Sequence, residues 1–198
     1  SYTDWHVSKL NKAFELLRPT LPRQINVIDW ACGQGLATLF LLDYIRQNDL
    51  RCSINEVVLI EPSVVALKRA QFLIGLADNR IRCINKLIDD VSANDVKFTG
   101  NFPVYQMFSN ILDIGGIDSK HLTDILYTNH TSDNIIVSVS PYYYSGNVRI
   151  NNFFSYFHRP LPFEKHECES NKNILGYTYN IGVAKLKPYD AGQIIKYK

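Results

Sequence analysis

The stretch INVIDWACGQGLATLFLLDYI, residues Ile25 to Ile45, decides how this chain folds. Ile25, Val27 and Ile28 form a short, unbroken apolar run, the pattern of a strand buried on both faces of a parallel sheet. The chain leaves that run through Asp29-Trp30-Ala31-Cys32-Gly33-Gln34-Gly35. Gly33 and Gly35 remove side chains where the backbone must turn tightly and where something must come close to it. Leu36, Leu39, Phe40 and Leu42 then repeat at helical spacing, so a helix packs back onto the sheet. A strand, a glycine turn and a helix together make the shape of a site for a nucleotide-like ligand.

The same alternation continues along the chain. An amphipathic helix is expected over Asp4 to Leu17, ending near Pro19. Glu56 to Glu61 reads as a second buried strand, followed by a helix that starts at Pro62 and closes near Gly75. Further strands are expected over Ile81 to Ile88, Pro103 to Leu112 and Asn134 to Pro141, with helices over Ser119 to Tyr127 and Val148 to Phe157. The segments PFEKHECE and GYTYNIGVAKLK alternate polar and apolar residues and read as an antiparallel pair. The expected architecture is therefore α/β: a doubly wound, mostly parallel seven-stranded sheet with a C-terminal antiparallel hairpin. Residues 1–24 form an N-terminal helical segment and residues 25–198 one Rossmann-like domain.

Composition narrows the possible functions. With 198 residues the chain suits one domain with a full core. A net charge of +2 gives no strong argument for nucleic acid or an anionic membrane. The basic tail KLKPYDAGQIIKYK reads as a solvated edge. No apolar run is long enough to span a bilayer, and no signal peptide is expected. Cys32, Cys52, Cys83 and Cys168 lack metal-ligand spacing, and the five histidines are dispersed, so no metal site is expected and a reduced, cytoplasmic protein is. The chain opens without Met and stops at IIKYK, as a domain of a larger chain would.

In doubly wound sheets ligands sit beyond the carboxyl ends of the strands, which singles out Asp29 to Gly35, Glu61, Asp89-Asp90, Ser109-Asn110 and Ser140 to Tyr144. A dinucleotide fingerprint needs a third small residue in its turn, and Thr38 stands there. Several carboxylates around one crevice would also repel a pyrophosphate. They suit a ligand carrying a ribose and positive charge, with Glu61 on the ribose hydroxyls and Asp89 or Asp90 on an adenine amino group. S-adenosylmethionine has these parts. A nicotinamide-dependent oxidoreductase is the weaker reading.

DWACGQG resembles motif I of the class I S-adenosylmethionine-dependent methyltransferases, with Ala31 at the first glycine position, and VVLIEP resembles their motif II. The closing hairpin is similar to their sixth and seventh strands. The resemblance runs from about Ile25 to about Lys187. It implies S-adenosylmethionine as cofactor, bound through Asp29, Ala31, Cys32, Gly33, Gly35, Glu61, Pro62, Asp89, Asp90 and Ser109. Ser109, Asn110 and Tyr142 would lie on the catalytic side, next to the methyl group and its acceptor. SNIL stands where amino-group methylases of bases or glutamine carry [DN]PP[YFW], so the acceptor, a small molecule or RNA, stays open. A non-catalytic cofactor-binding or scaffolding module of a larger protein is the alternative.

Several of these residues have blander readings. Asp113 is expected to cap or turn before Gly115-Gly116. Tyr142-Tyr143-Tyr144 can sandwich a planar acceptor or cover the core edge. His158 can act as a base near the acceptor or simply face solvent. Trp5 and His6 can close over the cofactor or only pack.

Overall fold

The computed structural model describes residues 2–18, 21–77, 80–128, 133–156, 163–174 and 177–186. In chain order the elements are α1 (Tyr2–Leu17), β1 (Gln24–Trp30), α2 (Leu36–Gln47), β2 (Ser53–Ile60), α3 (Val64–Gly75), β3 (Arg80–Ile84), β4 (Val104–Ser109), α4 (Ser119–Thr128), β5 (Asn134–Pro141), α5 (Tyr144–Ser155), β6 (Phe163–Ile174) and β7 (Tyr177–Leu186). The strands stand in the order β3-β2-β1-β4-β5-β7-β6. The first five are parallel, and β7 pairs antiparallel with both β5 and β6. Among the described residues no helix is long and apolar enough to cross a membrane.

Alternation along each strand sorts the core into two layers. Ile25, Val27, Val57, Leu59, Tyr105 and Met107 point to the face covered by α1, α2 and α3. Ile28, Trp30, Val58, Ile60, Val104 and Phe108 point to the other, covered by α4 and α5 through Leu122, Ile125, Ile150 and Phe153. The period of two in a strand places neighbours on opposite faces, which is why the apolar run of β1 has to be continuous. On the second face Trp30 stacks on Phe108 at 5.8 Å between centroids. Its indole N–H donates to Gln106 Oε1 at 2.8 Å, and Gln106 Nε2 donates to Asn134 Oδ1 at 2.8 Å. Three parallel strands are thus cross-tied by buried, satisfied polar groups, which fixes their register.

Boundaries differ from the sequence expectation where local chemistry intervenes. β3 ends at Ile84, and Ile88–Asp90 form a separate 3-10 turn, so Asp89 and Asp90 do not sit at the strand exit itself. α5 begins four residues before Val148. Pro62 lies outside α3, whose N-cap is Ser63, accepting from Ala66 N at 3.4 Å. His158, His130 and the tail from residue 187 onward lie outside the described residues, as do the side chains of Trp5, His166 and Cys168.

The two glycines of the β1–α2 turn serve different ends. Both are left-handed, Gly33 at φ 53° and Gly35 at φ 78°. A Cβ on Gly35 would lie 2.8 Å from Ile74 Cδ1 and 3.0 Å from Ala70 Cβ, so what comes close there is α3. A Cβ on Gly33 would meet nothing within 4 Å. Gly35→Ala is accordingly expected to lower stability by about 1–3 kcal/mol, through backbone strain and the collision with α3. Urea denaturation checks it; a wild-type midpoint would place the constraint elsewhere.

Candidate functional site

At the carboxyl end of β1 the chain turns through Ala31, also left-handed at φ 48°. That conformation is one a glycine adopts without cost, which accounts physically for a motif that carries glycine there. The loop is anchored to the neighbouring strand exit. Cys32 N donates to the Ile60 carbonyl at 2.9 Å, and Gly33 N donates to Glu61 Oε2 at 3.0 Å. Glu61 Oε1 accepts from Ser63 N at 2.9 Å. One half-buried carboxylate therefore joins the glycine loop to the start of α3, next to the open space at Gly33.

Asp29 is the deepest acid of the site, 1% exposed. Gly35 offers α2 no side-chain cap. Instead Asp29 Oδ2 accepts from Thr38 Oγ1 at 2.8 Å and from Thr38 N at 3.3 Å, capping the helix from the strand. Thr38 is thus the partner of this acid, and its position in the fingerprint is explained. Among the described residues, Asp29 Oδ1 is buried with no partner. Burial, opposed by the Thr38 hydrogen bonds, pushes the Asp29 carboxyl up to about 6. Burial first, then the charges of Asp29 and Glu61, hold the Cys32 thiol far above its usual range and disfavour its thiolate. The loop is a negative environment with an unanswered acceptor, suited to a cation or a donor group.

On the far side of the sheet's switch point, between β1 and β4, α1 reaches the strand exits. Ser109 Oγ and His6 Nε2 are 3.0 Å apart, and Asn110 Nδ2 and His6 Nδ1 3.1 Å. Asn110 is left-handed at φ 55°. Its Oδ1 accepts from Lys9 Nζ at 2.7 Å, and Lys9 is fully buried. Asp113, 5% exposed, accepts from Ser140 Oγ at 2.9 Å and, through Oδ2, from the Tyr143 hydroxyl at 3.0 Å. Its backbone carbonyl accepts from Arg149 at 2.8 Å. Burial lowers Lys9 to about 8 against the opposing pull of Asp113, and burial with the nearby Lys9 charge lowers His6 to about 4.

The sequence-predicted residues fall into these two groups. Asp29, Ala31, Cys32, Gly33, Gly35, Glu61 and Pro62 gather at the exits of β1 and β2. Ser109 and Asn110 gather with His6 at β4. Asp89 Oδ1 accepts from Asp118 N at 3.0 Å, tying the 3-10 turn to the start of α4, and Asp90 is exposed. Tyr142 is half-buried after β5, and its neighbour Tyr143 lays its ring over Gly146 while bonding Asp113. Sequence reasoning missed Lys9 and gave Asp113 only a turn role. A signal existed: His6 and Lys9 lie on the stripe of α1 that continues as Leu10, Ala13, Phe14 and Leu17, all buried. Charge on the apolar stripe of a helix marks a buried polar partner.

No family model matches the sequence, and no curated protein sequence matches it as a relative. Solved structures do match the fold. An rRNA methylase from Streptococcus thermophilus is 12% identical, with a TM-score of 0.55 over 91% of this chain and 97% of that one. An S-adenosylmethionine-dependent methyltransferase from Clostridium acetobutylicum is 12% identical, with a TM-score of 0.52 over 94% and 92%. A candidate methyltransferase from Streptococcus mutans, in complex with SAH, is 13% identical, with a TM-score of 0.56 over 90% and 98%. This chain has the fold of the class I S-adenosylmethionine-dependent methyltransferases.

The orphaned oxygen of Asp29 makes a pH-dependent expectation. Its raised carboxyl pKa means that stability present below the ordinary carboxylate range is lost as pH rises through about 6. His6 acts with the opposite sign: its neutral form contributes above its ordinary pKa, and that stability is lost as pH falls toward about 4. Asp29→Asn keeps an acceptor for Thr38 and removes the ionisation. The variant should match wild type near pH 4 and exceed it above pH 6 by roughly 1–3 kcal/mol. Urea midpoints across that range measure it, and a variant less stable than wild type at pH 7.5 refutes it.

Proposed function

We propose that this chain binds S-adenosylmethionine and transfers its methyl group to an acceptor molecule. The observation that carries the reading is the buried Asp29 Oδ1, which has no partner in a negative loop beside the uncluttered Gly33. The residues fit that cofactor. Asp29, with the Ala31–Gly35 loop including Cys32 and Gly33, would hold the positively charged methionine end. Glu61, beside Pro62, would hold the ribose hydroxyls, and Asp89 or Asp90 the adenine amino group. Gly35 contributes backbone only, since α3 fills the space its side chain would need. When bound, the cofactor supplies an already activated methyl group, so the chain's part is to align donor and acceptor and to exclude water.

Ser109, Asn110 and Tyr142 form the acceptor side of this proposal. Methyltransferase neighbours named for rRNA support RNA as one acceptor class, and a small molecule is the other. The strand order, with β7 and β6 antiparallel beyond β5, supports the full seven-stranded form of the fold. We read residues 1–24 as a helical segment serving the domain of 25–198, and the protein as one working in the cytoplasm.

Calorimetry with S-adenosylmethionine, S-adenosylhomocysteine and NAD tests the cofactor. The first two should bind and NAD should not; binding of NAD alone would sink the assignment. Release of S-adenosylhomocysteine from an acceptor mixture separates an enzyme from a non-catalytic scaffolding module. Glu61→Gln should weaken S-adenosylhomocysteine binding by roughly 1.5–3 kcal/mol, because a charged hydrogen-bonding partner is lost. Unchanged affinity in a folded variant would mean that Glu61 serves only to join loop and helix.

A further inference from the structure

The group formed by His6, Lys9, Ser109 and Asn110 has a direction, and the direction follows from which atoms can donate. The Lys9 ammonium has hydrogens and no lone pair, so the Asn110 atom 2.7 Å away is the carbonyl oxygen. That places the Asn110 amide nitrogen against His6, 3.1 Å from Nδ1. An amide nitrogen donates and does not accept, so Nδ1 is the accepting nitrogen of a neutral imidazole. The hydrogen then sits on Nε2, 3.0 Å from Ser109 Oγ. Nε2–H donates to the hydroxyl oxygen and cannot take the hydroxyl's own hydrogen. Ser109, half-buried at the exit of β4, keeps that hydrogen for something else.

The charges around the chain agree. Lys9 and Asp113 face the cluster from α1 and from the segment after β4, and burial beside the Lys9 cation disfavours a second cation on His6. His6 is thus poorly suited to act as a base, although a serine–histidine pair alone suggests one. The left-handed Asn110 sets its side chain between the two α1 residues, a conformation Asn and Asp tolerate better than other side chains.

We propose that α1 completes the acceptor side of the site, with Lys9 and His6 as positioning residues that orient Asn110 and leave the Ser109 hydroxyl as a hydrogen-bond donor to the methyl acceptor. This rests on the methyltransferase reading above. The acceptor it selects carries a lone-pair atom beside its nucleophile, a carbonyl oxygen or an unprotonated ring nitrogen. Beside the lone pair that His6 uses, the hydroxyl oxygen keeps one more, so Ser109 offers its hydrogen and a single acceptor position, and it is the hydrogen that the acceptor's lone-pair atom takes.

Nitrogen NMR of the histidine side chains in the full chain at neutral pH tests the direction. Wild-type His6 is expected as the neutral Nε2–H tautomer. Asn110→Asp leaves an acceptor for Lys9 and removes the donor to Nδ1, so His6 should change to the Nδ1–H tautomer or to the imidazolium. Wild-type His6 carrying its hydrogen on Nδ1 overturns the proposal, even if the variant does not fold. So does a folded Asn110→Asp protein with an unchanged signature. S-adenosylhomocysteine binding, measured on the same samples, separates the two claims. Binding with the wrong tautomer refutes the hydrogen-bond chain alone. The right tautomer without binding refutes the methyltransferase reading and, with it, the acceptor role of Ser109.

Discussion

The Glu61 carboxylate takes the Gly33 N–H on one oxygen and the Ser63 N–H on the other, and the site depends on this bridge. The β1–α2 loop has three left-handed residues, of which Gly33 and Gly35 take that conformation freely and Ala31 at a cost. It is held because its N–H groups are answered across the sheet, by Glu61 and by the Ile60 carbonyl. The two strand exits are thereby set against each other at the place where a doubly wound sheet receives its ligand. The two glycines differ in their surroundings: Gly35 is pressed against α3, while among the described residues nothing lies within 4 Å of a Cβ on Gly33.

A second constraint lies inside the core. Asp29 must be buried, because its strand is covered on that face, yet it carries the cap that α2 lacks. Satisfying Thr38 with one oxygen leaves the other without a partner, and burial then raises the carboxyl pKa. An unanswered acceptor at full burial lowers stability. At the exits of β4 and β5 the polar groups are instead tied together. Asp113 collects Ser140, Tyr143 and Arg149 around it, and Asn110 collects His6 and Lys9. Among the described residues, one oxygen at the β1 exit is thus left unsatisfied, while the polar side chains after β4 are held by one another.

Much of this was legible in the residues. The continuous apolar run of β1, the glycines after it and the acids at strand ends point to a parallel sheet with a ligand at its carboxyl edge, because burial on two faces and tight turns each demand particular side chains. Asp29 and Glu61 were placed correctly as neighbours of the loop. Asp89 and Asp90 were read as strand-end acids, but β3 stops at Ile84 and a separate turn carries them. Apolar residues continue through that turn, and periodicity alone cannot show where hydrogen bonding to the neighbouring strand stops. A lysine on a helix is ordinarily solvated, and nothing local shows that Lys9 is fully buried and donates to Asn110, 101 residues away.

The sequence by itself determined the succession of elements, the two-faced burial of the strands and the chemistry available at each strand exit, but not the face that α2 buries, which runs through Ala37, Leu41, Tyr44 and Ile45 while Leu36 is exposed. These follow from local rules: the period of side chains in a helix or strand, the conformations open to glycine, and the cost of burying charge. Only the tertiary structure decided what each special residue answers to. Gly35 answers to Ile74 and Ala70 of α3, Thr38 to Asp29, and His6 to Ser109 and Asn110. These partners lie far apart along the chain or on different elements. Which of them meet depends on the crossing of helices over the sheet, and no spacing along the chain encodes that crossing.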